Sequence, residues 1–310
     1  MADIHTHDDD HESAYSGLLV NDAHWAFGTD FEDPLAGVDT TIPDGADAAV
    51  LGRYALALGD DALVMSHRIG EWCSHAPDLE EDIALANIAL DLLGQARLLL
   101  ARAAKADPSL VPELPEGSPV PPEDALAFFR EAHDFTNVRL AELPRGDFAE
   151  VVTRVLLFSV WRLAVWEQLR GSRDAVLAAV AAKGVKELAY HRDFAARWFV
   201  TLARGTDESR RRLHAALAHL WPLWPELFDT HPAERAAAAS GVGVDPASVQ
   251  ASADATLDEV LVAAGVERPE AARMAAVRGR TGRDGLHTEA LSRMLAEMQS
   301  VARAHPRGTW

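Results

Sequence analysis

The stretch from Leu56 to Ala104 limits the fold more than any other part of this chain: two runs of apolar residues recur at three- and four-residue steps and are broken once, at His75-Ala76-Pro77-Asp78. Leu58, Ala62, Met65, Ile69 and Trp72 fall on one stripe of the first run. Leu85, Ile88, Ala89, Leu92, Ala96 and Leu99 do the same in the second. Each run therefore predicts an amphipathic helix that must bury one side. A connection this short leaves the two helices antiparallel and adjacent, which is half of a four-helix bundle.

The same reading continues along the chain. Helices are expected over 52–73 and 79–105, a shorter one over 123–140, and two more over 148–170 and 174–203, the last pair joined by a tight turn at Gly171-Ser172-Arg173-Asp174. Two antiparallel hairpins separated by a long proline-rich connection match the ferritin-like arrangement, whereas a simple up-down bundle needs only short loops. Helical pieces follow over 208–228, bent at Pro222 and Pro225, then near 254–264 and over 288–304. No strand period appears, so the expectation is an all-α, ferritin-like four-helix bundle with additional C-terminal helices. Residues 1–47 read as an N-terminal extension, partly disordered, and 48–310 as the folded domain. The cluster His5, His7, Asp8, Asp9, Asp10 and His11 reads as a solvated tail, because a flexible segment bears the full ordering entropy if it binds a metal.

Charge and cysteine usage exclude several function classes. A formal charge of −19 over 310 residues repels nucleic acid and anionic membranes alike. No signal-type segment opens the sequence, and no apolar run is expected to reach the roughly 18 residues that span a bilayer. The single cysteine, Cys73, permits no intramolecular disulfide and reads as a small buried hydrophobe. The composition fits a reducing cytoplasm.

Ferritin-like bundles that hold two irons place a carboxylate on each of two helices and a Glu-x-x-His pair on each of the other two. Counting along the stripes puts Ala62, Leu92 with Gln95, Ser159, and Leu188 with His191 at the inward positions at mid-height. Of these only His191 is a competent iron ligand. Asp61, Asp91 and Glu187 each lie one position away, and one step turns a side chain by about 100° around the helix. His191 is expected to be satisfied by Gln95 across the bundle or by Glu187 one turn back. The opposing reading is a self-sufficient metalloenzyme built on Asp61, Asp91, Glu187 and His191. Two further features ask for a partner. Arg278, Arg280 and Arg283 sit in a glycine-rich loop that reads either as an anion or partner contact or as a solvated turn. Trp161, Trp198, Trp221, Trp224 and Phe228 offer more apolar surface than one bundle interior needs.

The runs YALALGDDALVMSHRIGEWCSHAPDLEEDIALANIALDLLGQARLL from Tyr54, KELAYHRDFAARW from Lys186, GVGVDP from Gly241 and GRDGLHTEALSRMLAEMQ from Gly282 closely resemble the C subunits of multicomponent phenylacetyl-CoA 1,2-epoxidases, over about residues 48–310. The resemblance implies a non-catalytic structural subunit that forms a heteromer with a related oxygenase A subunit. The A subunit keeps the di-iron ligands, and this chain carries Ala62, Leu92, Gln95, Ser159 and Leu188 in their place, with His191 alone matching. It also implies that no cofactor belongs to this chain. Di-iron, flavin, an iron-sulfur cluster and NADPH are expected on sister subunits, including a reductase, and phenylacetyl-CoA is met through the complex.

Overall fold

The computed structural model describes residues 37–308 apart from Ala271 and Ala275, so the expectations for the His/Asp-rich start and for residues 1–36 in general lie outside it. The larger compact unit runs from Val38 onward, and residues 40 and 41 already dock on it, their backbone carbonyls accepting from Arg102 at 2.8 and 3.3 Å.

Asp47 starts the bundle: its carboxylate accepts from the amides of Ala49 and Val50, leaving α1 (Ala48–Gly70) free to carry its apolar stripe into the core. Asp78 caps α2 (Leu79–Ala106) in the same way, with Glu80, Glu81 and Asp82 in a first turn where the helix dipole favours negative charge. Between the hairpins come a 3-10 turn over Pro108–Leu110 and three further short pieces, described below. A box between Asp147 and Glu150 starts α5 (Phe148–Leu169), and Asp174 starts α6 (Ala175–Arg204). The pairs α1–α2 and α5–α6 form the two hairpins, and α2 packs on α6 to join them. The long crossover between them gives the expected ferritin-like order, and the described residues contain no strand, only one isolated bridge between Val277 and Arg280.

In that crossover the structure departs from the single helix expected over 123–140. It shows α3 (Pro122–Phe128), a 3-10 turn over Ala132–Asp134, and α4 (Arg139–Glu142). Buried acids on α1 explain the break. Asp60, fully buried, takes both terminal guanidinium nitrogens of Arg130 and the amide and hydroxyl of Thr136, while Asp61 takes the amide of Val138 at 2.8 Å. Backbone groups that satisfy a buried carboxylate cannot also close a helix.

The C-terminal third wraps the bundle with α7 (Asp207–Leu220), a 3-10 run Trp221–Phe228 holding both prolines, α8 (Pro232–Ala239), α9 (Gln250–Ala264), α10 (Glu289–Met298) and α11 (Ser300–Ala304). This layer corrects the expectation that the tryptophans form an interface. Trp161, Trp221, Trp224 and Phe228 are all buried, with Arg268 over the Trp221 ring and Trp224 donating to Asp254 at 3.0 Å, while Trp198 is half-buried with its ring against Phe148. Cys73 is also corrected: α1 ends at Gly70, and the following turn, with Ser74 at φ 67°, leaves the thiol exposed.

The uncovered apolar surface lies elsewhere. Leu79, Ile83, Leu90 and Leu93 are 42–69% exposed and fall within about 80° of arc on the side of α2 that faces away from the core. By length and composition α2 would pass for a membrane span, contrary to the sequence expectation, yet half of its apolar window is packed inside the bundle. The ridge lies on the unburied side.

Candidate functional site

All six inward positions counted from the sequence are buried: Ala62, Leu92, Gln95, Ser159, Leu188 and His191 are each at most 4% exposed. The stripes therefore converge as expected. What fills the space between them has no counterpart in the sequence reading.

The centre is occupied by a cation from α5, Arg162, whose side chain is fully buried. Its Nε donates to Gln95 Oε1 at 3.2 Å and its Nη2 to the Leu58 carbonyl at 3.2 Å, which ties α5 to both helices of the other hairpin. The guanidinium carbon lies 3.9 Å from the centre of the Trp166 ring, within cation–π range. Its Nη1 sits 4.0 Å from Asp61 Oδ2, beyond a hydrogen bond but close enough for charge attraction. Burial drives the Arg162 pKa down to about 9, with Asp61 opposing the fall, so the group stays charged at neutral pH. Gly184 on α6 makes room for this layer: a Cβ there would come within 2.5 Å of Trp166 Nε1.

The expected pairing of Gln95 with His191 is not found. Gln95 Nε2 donates to Glu187 Oε2 at 2.9 Å, and His191 Nε2 instead meets Asp91 Oδ2 at 3.0 Å. Ser159 bonds back to the Leu156 carbonyl at 3.2 Å and takes no part. Because Asp91 is about a third exposed, water can solvate it when its partner is lost. His191→Ala should therefore cost about 1 kcal/mol, the low end for a broken polar pair, and urea denaturation measures it directly.

Asp61, one step off the inward stripe, is fully buried. Arg283 reaches in from the C-terminal loop and holds it bidentately, Nη1 to Oδ1 and Nη2 to Oδ2, both at 2.8 Å, while its Nε donates to Glu234 at 3.0 Å. Burial alone would lower the Arg283 pKa, but the charges of Asp61 and Glu234 outweigh it and hold the pKa above the ordinary value. This corrects the reading of Arg278, Arg280 and Arg283 as one mobile basic group. Arg283 is a core residue, Arg280 is exposed and donates to the Asp284 carbonyl, and Arg278 is exposed.

The set Asp61, Asp91, Glu187 and His191 is thus divided: Asp61 belongs to Arg283, Asp91 to His191 and Glu187 to Gln95. Among the described residues the acids and imidazoles whose ligand atoms gather within 4.8 Å are Asp78, Glu80 and Glu81, at the start of α2. Arg162 carried one signal in the sequence: it interrupts the apolar run VVTRVLLFSVWRLAVW three residues after Ser159, which places it on the same inward stripe.

Two comparisons bear on what this arrangement does. A family model described as phenylacetic acid catabolic protein matches residues 38–310. The C subunit of the 1,2-phenylacetyl-CoA epoxidase of Escherichia coli (strain K12) is 42% identical over 260 residues, covering 84% of this chain and 99% of that protein.

Proposed function

This chain belongs to the phenylacetic acid catabolic protein family, and from that premise we propose that it is a non-catalytic structural subunit of a phenylacetyl-CoA epoxidase in aerobic phenylacetate catabolism, pairing with an oxygenase subunit that carries the iron. One observation supports this reading above the others: the bundle centre holds the Arg162 guanidinium. Two ferric or ferrous ions need several anionic ligands around an open space. Here the six ligand positions offer Ala62, Leu92, Gln95, Ser159, Leu188 and His191, and a fixed positive charge stands among them. The donor set does not fit a pair of irons. Flavin, the iron-sulfur cluster and NADPH belong by the same reading to sister subunits.

The pairing face in this proposal is the ridge of Leu79, Ile83, Leu90 and Leu93, with Tyr190 of α6 also exposed. Contiguous apolar surface of this kind on an otherwise strongly charged chain marks an interface. A second copy is disfavoured as the occupant, since Glu80 and Glu81 lie next to Leu79 at the start of the ridge and two copies would set acid against acid.

Co-expression with the oxygenase subunit tests the proposal. A stable heteromer is expected, with iron following the partner and substoichiometric iron on this chain purified alone. Near-stoichiometric iron on the isolated chain, with an oxo-bridged optical band, would overturn it.

A further inference from the structure

The segment GRDGLHTE crosses the base of the bundle before α10, and its backbone is fitted closely there: Gly285 has φ 73°, and a Cβ on it would lie 2.2 Å from the His133 carbonyl oxygen. Two residues on, the side chain of His287 is 4% exposed and wedged between α4 and the turn that precedes it. Its Nδ1 lies 2.7 Å from Glu142 Oε2 and its Nε2 lies 2.8 Å from the Phe135 carbonyl oxygen. Both neighbours are acceptors. A neutral imidazole has one N–H and one lone pair, so it can satisfy only one of them, whereas an imidazolium donates to both. Glu142 has no spare role as the donor, because its oxygens already receive the Asn137 amide at 2.9 Å and the Thr288 N–H.

We propose that the protonated His287–Glu142 pair is a clasp that helps fix the C-terminal helices α10 and α11 to the bundle and loosens their hold when it loses its proton. Other contacts hold the same helices: Leu291, Met294 and Leu295 are buried, Arg68 donates to the Ala290 carbonyl at 2.7 Å, Gln299 to the Ala127 and Arg130 carbonyls, and Arg303 to the Phe128 and Arg130 carbonyls and to Glu131. A cavity of about 330 Å³ lined by Pro121, Phe128, Phe129, Met298 and Val301 lies beside them. Among these contacts His287 is the one that titrates near neutral pH, in an otherwise fixed set.

The charges facing His287 favour the proton. Burial pulls its pKa down, but the hydrogen bond and charge of Glu142, the Phe135 carbonyl and the charge of Asp60 outweigh burial, and the net shift is upward from 6.5. Arg130 faces the same region from just past α3 but is bound to Asp60, and Arg68 of α1 is bound to the Glu142 carbonyl, to Glu71 and to the Ala290 carbonyl of α10. With the folded pKa above the unfolded one, the clasp contributes in full below about pH 6.5 and is lost as pH climbs through the raised value. Across that window the opening constant of the segment rises by up to about tenfold per pH unit.

Amide exchange by mass spectrometry on the full chain between about pH 6 and 9, corrected for intrinsic exchange, tests this. Peptides covering residues 286–304 should lose protection with rising pH while those of α5 and α6 hold theirs, and His287→Gln should make the C-terminal peptides open at every pH. Ring nitrogen shifts of His287 in the unmodified protein give an independent reading that needs no variant, with both nitrogens protonated at about pH 6. A neutral ring under those conditions, or the same pH dependence in His287→Gln, would overturn the clasp.

Discussion

Asp61→Ala should lower the stability of the chain by about 3–5 kcal/mol, the cost of leaving buried charge uncompensated. The substitution removes one carboxylate from between two guanidinium groups, Arg283 at 2.8 Å and Arg162 at 4.0 Å, neither of which can reach water without opening the bundle. It also strands the Val138 amide. For a chain of this length the melting temperature should fall by roughly 10 °C. The double substitution Asp61→Ala with Arg283→Met should recover little of the loss, since it removes the stranded guanidinium but leaves the buried Glu234 carboxylate without its partner. Thermal melts of the three proteins measure the coupling. A single-variant loss below about 1 kcal/mol would mean that water reaches this layer and the pair is not a buried one.

Replacing Leu90 and Leu93 with Asp should abolish co-purification with the oxygenase subunit and leave the melting temperature of the isolated chain almost unchanged. Both side chains are substantially exposed, 63% and 42%, so the fold loses little when they change. An interface centred on them would lose its apolar contacts and gain two desolvated carboxylates, and truncating a central anchor alone costs about 2–4 kcal/mol of binding. Two such changes weaken pairing by at least about a thousandfold, enough to lose the partner on a column. Epoxidase activity of the mixed complex should fall with assembly. A control at Val262, 80% exposed on α9, separates the ridge from general surface effects. Retained pairing in the ridge variant together with loss in the Val262→Asp control would move the interface to the other side of the molecule.

The bundle itself was legible because helical period is a local property. Ala62, Leu92, Ser159 and Leu188 were placed inward by counting alone, and each is at most 1% exposed. The capping acids Asp47, Asp78, Asp147 and Asp174 also mark helix starts from their own neighbours. Less legible was the strip from 123 to 140, whose composition is helical. Its backbone is claimed by Asp60 and Asp61, residues far earlier in the chain, and no local pattern records that demand.

Sequence by itself determined the four helices, their pairing into hairpins, and the absence of carboxylates at the inward positions, because period and residue type suffice for each. Tertiary structure alone decided which charges meet. His191 pairs with Asp91, not Gln95, because the rotation of α2 against α6 sets which side chains come within 3.0 Å. Arg283 became a core residue because a loop 222 residues downstream of Asp61 closes over the bundle. Arg162 became the central cation because α5 turns it toward Gln95 and Leu58, whose oxygens accept from two of its three nitrogens, with Asp61 within reach of its charge.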